Sequence, residues 1–245
     1  MIVYLAGFKT IEKYWNKPTE NIYLLSSFWE HKTGSYGGYV TGSKHILDSG
    51  AFSALSGGKK QVDWDDYVKK YIQFIKNTKQ KLFFELDIDA LIGYEKVKYY
   101  TKKMEDEIGT QPIPVWHKSR GVDEWHRLCE NYDYVSIGGI VIKEIKPKQY
   151  DIFIPLLDIA KKNKCKVHGL GFTKSTLLKK YKFDSVDSTT WNVGGKFGNV
   201  CLLNKEQMPI QRYKKVNSRV SDINKINLFN FEQWVKFQKY AEEHL

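Results

Sequence analysis

Short apolar runs alternate along the chain with longer amphipathic stretches. This alternation is typical of repeated βα units, in which helices connect parallel strands. The strand candidates are "IVYLAG", "IYLLSS", "HILDSG", "KLFFELDID", "PIPVWH", "YDYVSIGG", "KCKVHGLG" and "FDSVDS". Eight such units predict an α/β protein with a (β/α)8 barrel of the TIM type, and a doubly wound open sheet is the alternative.

Helical periodicity marks three of the intervening stretches. "DWDDYVKKYIQFIKN" has apolar residues at helical spacing with Asp63 as its N-cap, and "VDEWHRLCENY" has the same spacing. "TKSTLLKKY" predicts a further helix capped by Thr173. From about residue 205 to 245, a basic segment precedes an amphipathic helix, which predicts a C-terminal extension of one domain spanning 1–245. This extension either packs on the barrel or touches a partner.

Composition bears on the size of the core, the cellular compartment and the kind of partner. With 245 residues, 42% hydrophobic and 15% aromatic, the chain can bury a large core. Three widely spaced cysteines and no signal-like or membrane-spanning segment predict a soluble cytoplasmic protein, in the host cytoplasm if phage-encoded. The formal charge of +11 favours a polyanionic partner, although a merely lysine-rich soluble protein is the alternative.

Polar residues or glycines stand where four of the predicted strands end. They are Asp48, the pair Asp87 and Asp89, the pair Gly138 and Gly139, and Asp187. In a barrel all strand C-termini open on one face, so these residues are expected to meet in one pocket. Each also has a structural interpretation, since aspartate and glycine are common turn formers and helix caps.

A pocket with several carboxylates suits exchange at a sugar carbon. One carboxylate attacks the anomeric carbon while a second acts as acid and base on the leaving group. A third can accept N–H groups of a ligand while glycine amides hold a carbonyl oxygen. A guanine-like base presents this pattern, and the basic surface indicates that its sugar belongs to a nucleic acid.

Four segments resemble, in the same order, those of the tRNA-guanine transglycosylase superfamily, including its phage and bacterial branch that inserts 7-deazaguanines into DNA. They are "LDSGAF", "SIGGI", "VHGLGFT" and "FDSVDSTTW". The resemblance implies that Asp187 is the nucleophile and that Asp48 is the general acid and base. It implies that the base is contacted by Ser49, Phe52, Gly138, Gly139 and His168. It implies the same for Asp87, which fits the family pattern better than Asp89, and for Trp116 or His117. Phe52 would stack on one face of the base, and His168 would cover the other. The alternative is that the aromatic and histidine residues are structural.

The chain also departs from the family. It has no counterpart of the zinc-binding cysteine-rich insertion of the tRNA enzymes, so no metal or cofactor is expected and DNA is favoured over tRNA. Ala51 and Ser53 replace the family's glycine and glutamine. Phosphate contacts are expected from Lys118, Arg120, Lys174, Lys179 and Lys180, with a solvated helix face as the alternative.

The resulting hypothesis is a glycosyltransferase that exchanges guanine in nucleic acid for a 7-deazaguanine such as preQ0. Three alternatives stay open. They are an N-glycosidic-bond hydrolase that uses the same carboxylates, a tRNA-directed transglycosylase, and a non-catalytic nucleic-acid-binding barrel.

Overall fold

A curled sheet of seven parallel strands forms the centre of the molecule. The computed structural model describes residues 1–31, 37, 39–42, 44–56, 62–172, 174–192, 197–204, 210–214 and 222–245. The strands are β1 Ile2–Ala6, β2 Tyr23–Ser27, β3 Lys44–Asp48, β4 Val115–Trp116, β5 Tyr134–Ile137, β6 Lys166–Gly169 and β7 Ser185–Ser188. Their order in the sheet is β3-β2-β1-β7-β6-β5-β4. Seven of the eight predicted strands are therefore present in one parallel sheet.

The remaining candidate, "KLFFELDID", pairs through isolated bridges and is not a regular strand. On one side, Leu47 of β3 bonds with Leu82 and Phe84 at 3.0 and 2.9 Å. On the other side, the Ile113 N–H donates to Phe83 O at 2.7 Å, and the Glu85 N–H donates to Ile113 O at 3.0 Å. The segment 82–85 thus lies between β3 and the residues that precede β4.

Helices cover the outer face of the sheet. They are α1 Phe28–His31, α2 Tyr39–Gly42, α3 Ala51–Ser56, α4 Trp64–Thr78, α5 Asp89–Ile92, α6 Tyr94–Ile108, α7 Gly121–Asn131, α8 Phe153–Lys162 and α9 Ile223–His244. Asp63 caps α4 as predicted, because its carboxylate accepts the Asp66 N–H at 3.1 Å. The predicted helix in "TKSTLLKKY" is wrong: it forms only the 3-10 turn Ser175–Leu177, and the expected cap Thr173 lies outside the described residues.

Both faces of the sheet are buried, as is usual for parallel strands. On one face, Tyr4, Tyr23, Ile46, Phe84 and Val115 pack together in a small cluster. Alternate residues of the same strands face the other way and join a larger cluster with the helices. The packing on both sides fixes the direction of the side chains that follow at the strand ends.

Helix α9 packs on the sheet, as one of the two predictions for the C-terminal segment expected. Gln238 donates to Val3 O and Tyr23 O at 2.6 and 2.8 Å and accepts the Tyr23 N–H at 3.1 Å. Asn230 accepts the Cys201 N–H at 2.7 Å from β8, which spans Asn199–Leu203 and pairs antiparallel with β9, Ile210–Lys214. Buried polar anchors therefore attach α9 to both sheets.

All three cysteines, Cys129, Cys165 and Cys201, are buried, and no disulfide joins them. Among the described residues, no helix is both long and apolar enough to span a membrane.

Candidate active site

Four polar segments meet at the edge formed by the carboxyl ends of the strands. Asp48 is the last residue of β3, and Asp187 is the third residue of β7. His117 directly follows β4, and Gly138 directly follows β5. Because the strands are parallel, these residues lie on the same edge of the curled sheet.

Asp187 is held at this edge by two hydrogen bonds. The Gly171 N–H donates to its Oδ1 at 2.5 Å, and His168 Nε2 lies 3.2 Å from the same oxygen. Both hydrogen bonds described for this carboxylate involve Oδ1, so Oδ2 is the oxygen that can attack a ligand. The side chain is 11% exposed, which suits a nucleophile that a ligand reaches from one direction.

His168 lies beneath Asp187 and has no exposed surface. Its Nδ1 is 2.5 Å from Ser185 Oγ, which is 2.5 Å from the Tyr134 hydroxyl oxygen. The ring also lies against Tyr4. The expectation that His168 covers one face of a base is therefore corrected, because its ring is fully buried and supports the Asp187 carboxylate instead.

The Asp48 carboxyl group is set up to hold a proton near neutral pH. Burial, together with the negative charges of Asp87, Asp187 and Glu30, raises its pKa from 3.8 to about 7 against the opposite effect of one backbone hydrogen bond. That hydrogen bond is the Gly50 N–H donating to Oδ2 at 3.2 Å. The same aspartate thus closes a turn and titrates in the range that acid and base catalysis requires.

A second charged group combines Asp87, His117 and Glu144. The ring nitrogens of His117 lie 2.6 Å from Asp87 Oδ1 and 2.8 Å from Glu144 Oε2. Burial lowers the pKa of His117, but the hydrogen bonds to these carboxylates outweigh it and raise the pKa to about 9. At neutral pH the ring is charged and donates to both carboxylates. Glu144 stands seven residues beyond β5 in a loop, where no sequence pattern marks it as a site residue.

Arg120 is buried, which corrects the prediction that it contacts phosphate. Its side chain is 3% exposed, with Nε 2.8 Å from Asp89 Oδ2 and Nη1 3.2 Å from Glu85 Oε1. The guanidinium carbon lies 4.1 Å from the Tyr94 ring centroid. Arg120 therefore pairs with Asp89 and Glu85 inside the protein, and Asp87 pairs with His117.

Gly138, the first glycine of the pair after β5, does not have the predicted role of contacting a base through its amide. The Gly138 N–H donates to Trp116 O at 2.9 Å and is not available to a ligand. No described residue accepts the Gly139 N–H, so the predicted amide contact stays possible there. A Cβ at Gly138 would lie 3.0 Å from the His117 ring, and one at Gly139 would lie 2.6 Å from Glu144 Oε2. The two glycines make room for the His117–Glu144 pair.

Trp116 faces away from the pocket. Its indole N–H donates to Gly121 O at 2.8 Å, and its ring packs edge-on against Trp125 in the core. Of the two adjacent candidates, the structure therefore places His117 and not Trp116 at the site.

Ser49 and Phe52 follow Asp48 in the turn and the first residues of α3. Ser49 is buried, and its Oγ lies 3.5 Å from the Ala51 nitrogen, so it lies within the turn. Phe52 is 63% exposed at the same edge, where a stacking residue is expected.

The remaining cationic candidates are exposed. They are Lys118, Lys174, Lys179 and Lys180. Lys174 Nζ lies 5.3 Å from the Tyr150 ring centroid, and Lys180 forms a 2.6 Å ion pair with Asp151. Lys180 is thus partly neutralised by a surface aspartate, whereas Lys118 follows β4 at the pocket edge.

One group has the spacing of a cation site. Single ligand atoms of Asp87, Asp89 and His117 lie within 4.8 Å of one another. His117 already donates to Asp87, and Arg120 already donates to Asp89. The protein's own cations therefore balance this group.

The fold and site define an α/β protein with a cluster of carboxyl groups at the carboxyl edge of a curled parallel sheet. The chain matches no protein-family model, and no curated protein matches it significantly.

Proposed function

We propose that the chain is a base-exchange glycosyltransferase that replaces guanine in DNA by a 7-deazaguanine such as preQ0. The observation that carries the proposal is the meeting of Asp48 and Asp187 at one sheet edge, with the pKa of Asp48 raised to about 7. Such a pair provides a proton donor beside a carboxylate that can act as nucleophile.

The proposed fold is a closed (β/α)8 barrel in which segment 82–85 is the eighth strand. The support is its backbone hydrogen bonding to β3 on one side and to Ile113 on the other. In such a barrel the carboxyl edge is a single mouth, and catalytic groups from different strands face one ligand.

In the first proposed step, Asp187 Oδ2 attacks C1′ of the target nucleotide. The bond from C1′ to the base nitrogen breaks as Asp48 gives its proton to the departing guanine. In the second step, the incoming 7-deazaguanine loses its N9 proton to Asp48, and its N9 attacks C1′. The ester bond to Asp187 breaks, and both carboxyl groups return to their starting states.

The charges of the pocket favour a base over a phosphate. Among the described residues of the pocket, the carboxylates of Asp87, Asp187 and Glu144, and that of Asp48 when it is ionised, face one cationic ring, His117. This acidic lining repels phosphate but accepts N–H groups, while a chain with a formal charge of +11 can hold phosphates outside the pocket. The Gly139 N–H is the donor proposed for the base carbonyl.

Incorporation of radiolabelled preQ0 into DNA or tRNA tests the proposal. We expect label in DNA, a trapped covalent protein–DNA adduct with wild-type protein, and no adduct with Asp187→Ala. Asp158→Asn, which alters an exposed aspartate on α8, serves as the control and should behave as wild type.

Three results would contradict the proposal in different ways. Free guanine without incorporated label would favour the hydrolase, because Asp48 could also activate water. Label in tRNA alone would move the substrate to tRNA. Binding of DNA with neither product would favour a non-catalytic protein.

A further inference from the structure

Four of the five most exposed apolar side chains among the described residues lie at the sheet edge that carries the candidate site. Among the described residues, the five large hydrophobic side chains with the greatest exposure are 56% to 70% exposed. They are Phe52, Leu91, Val141, Ile142 and Phe197. Phe52, Val141 and Ile142 closely follow β3 and β5, and Leu91 closely follows the bridging segment 82–85, so these four lie at the carboxyl edge of the sheet. Exposed apolar residues gathered at one edge mark an interaction surface more strongly than scattered ones do.

Val141 and Ile142 form the tip of a tight turn that follows β5. The Lys143 N–H donates to Ile140 O at 3.3 Å, and the Ile145 N–H donates to Gly139 O at 3.2 Å. Lys143 has a φ of 61°, in the left-handed region. The turn therefore presents two exposed aliphatic side chains, 70% and 56% exposed, on a hydrogen-bonded base.

This turn also contacts the support of the proposed nucleophile. A Cβ on Gly171 would lie 2.3 Å from Val141 Cγ2, so Val141 packs directly on that glycine. The Gly171 N–H in turn donates to Asp187 Oδ1. The apolar tip is thus two contacts away from the carboxylate that is proposed to attack C1′.

The charges around the tip suit a phosphate backbone. Lys143, Lys146 and Lys148 are exposed in the same segment, and Lys118 and Lys174 are exposed beyond β4 and β6. An aliphatic tip flanked by lysines combines an apolar wedge with backbone contacts, as in proteins that unstack and kink a duplex. A protein partner or a second copy would gain less from the acidic pocket behind the tip.

We propose that Val141 and Ile142 enter the base stack of duplex DNA and fill the space left by the extruded nucleotide. This inference rests on the proposed function, because it explains how a buried Asp187 reaches C1′ in a duplex. Extrusion costs a few kcal/mol of unstacking and unpairing. A wedge that occupies the vacated space offsets part of that cost, whereas an unpaired target does not need it.

The test compares base exchange on two substrates of the same sequence, one a duplex and one with the target guanine in a single strand. We expect Ile142→Ser, which leaves the contact between Val141 and Gly171 in place, to lower the rate on the duplex by about tenfold and to change the single-strand rate by less than about twofold. Ile142→Leu should retain the duplex rate. Tyr99→Ser, which removes a 55% exposed side chain from α6, is the control and should affect neither.

A second measurement does not require catalysis. With 2-aminopurine beside the target position in the duplex, binding of wild-type protein should raise its fluorescence, and binding of the Val141→Ser/Ile142→Ser variant should not. Equal loss on both substrates, no loss on the duplex, or no fluorescence rise with wild type would overturn the wedge. Failure of exchange on both substrates with a normal fluorescence rise would instead contradict the proposed function alone.

Discussion

Replacing Asp48 by asparagine should stabilise the protein, and more strongly at high pH. When the pKa of a carboxyl group is higher in the folded chain than in the unfolded chain, the free energy of unfolding falls as the pH rises between the two pKa values. For Asp48 these values are about 7 and 3.8. At about 1.4 kcal/mol for each pH unit, the raised pKa lowers the free energy of unfolding by about 4 kcal/mol at pH 8 and by about 2 kcal/mol at pH 5. Asparagine does not titrate and can still accept the Gly50 N–H.

Urea unfolding of wild type and Asp48→Asn at pH 5 and pH 8 measures this difference. We expect the gain in free energy of unfolding to be about 2 kcal/mol larger at pH 8, with base exchange abolished at both. Asp158→Asn controls for the removal of an exposed charge. An equal gain at both pH values, or a loss at pH 8, would show that Asp48 is not held protonated by the fold and would remove the basis for its role as acid.

Three further substitutions test separate contacts. Glu144→Gln removes one partner of the charged ring, so the pKa of His117, about 9 in the wild type, should fall by about one unit in an NMR titration; an unchanged value would contradict the pairing. Burial lowers the pKa of His45 to about 4, so stability should fall by about 3 kcal/mol as the pH falls from about 6.5 to 4. Compared with Asp48→Asn alone, the double variant Asp48→Asn/His45→Gln should lose this pH dependence in urea unfolding. If the double variant keeps the pH dependence, other groups cause it. Gly50 has a φ of 67°, and Gly50→Ala would place a methyl group 2.8 Å from a backbone nitrogen, so the free energy of unfolding should fall by about 2 kcal/mol or more. Gly109 has a φ of 76° but no atom within 4 Å of the added methyl group, so Gly109→Ala should cost less stability. Equal losses of stability in thermal unfolding would contradict the close approach at Gly50.

The sequence predicted the features that depend on local patterns. Apolar runs of strand length predicted the strands, and a polar side chain after a run predicted Asp48 and Asp187 at the sheet edge. The cap at Asp63 follows from the same kind of rule, because the side chain and the amide that it accepts are three residues apart. These predictions needed no knowledge of which strands are neighbours.

The missed features depend on contacts between distant segments. β4 contains two residues, too few for alternation to decide whether Trp116 or His117 faces the pocket. Arg120 looked like a surface cation because its partners, Glu85 and Asp89, precede it by 35 and 31 residues. Glu144 lies in a loop whose path no periodic pattern determines.

Hydrogen-bond partners set Asp48 apart from the other carboxyl groups near the site. Five carboxylates, those of Glu85, Asp87, Asp89, Asp187 and Glu144, accept hydrogen bonds from cationic side chains or backbone amides near the pocket. Asp48 accepts one backbone amide and has no described cationic partner. Burial raises the pKa of this carboxyl group, and the negative charges of Asp87, Asp187 and Glu30 add to that effect. His117 and Arg120 pair with Asp87 and Asp89 and leave Asp48 without such a partner, so Asp48 is the carboxyl group that supplies the proton in the proposed exchange.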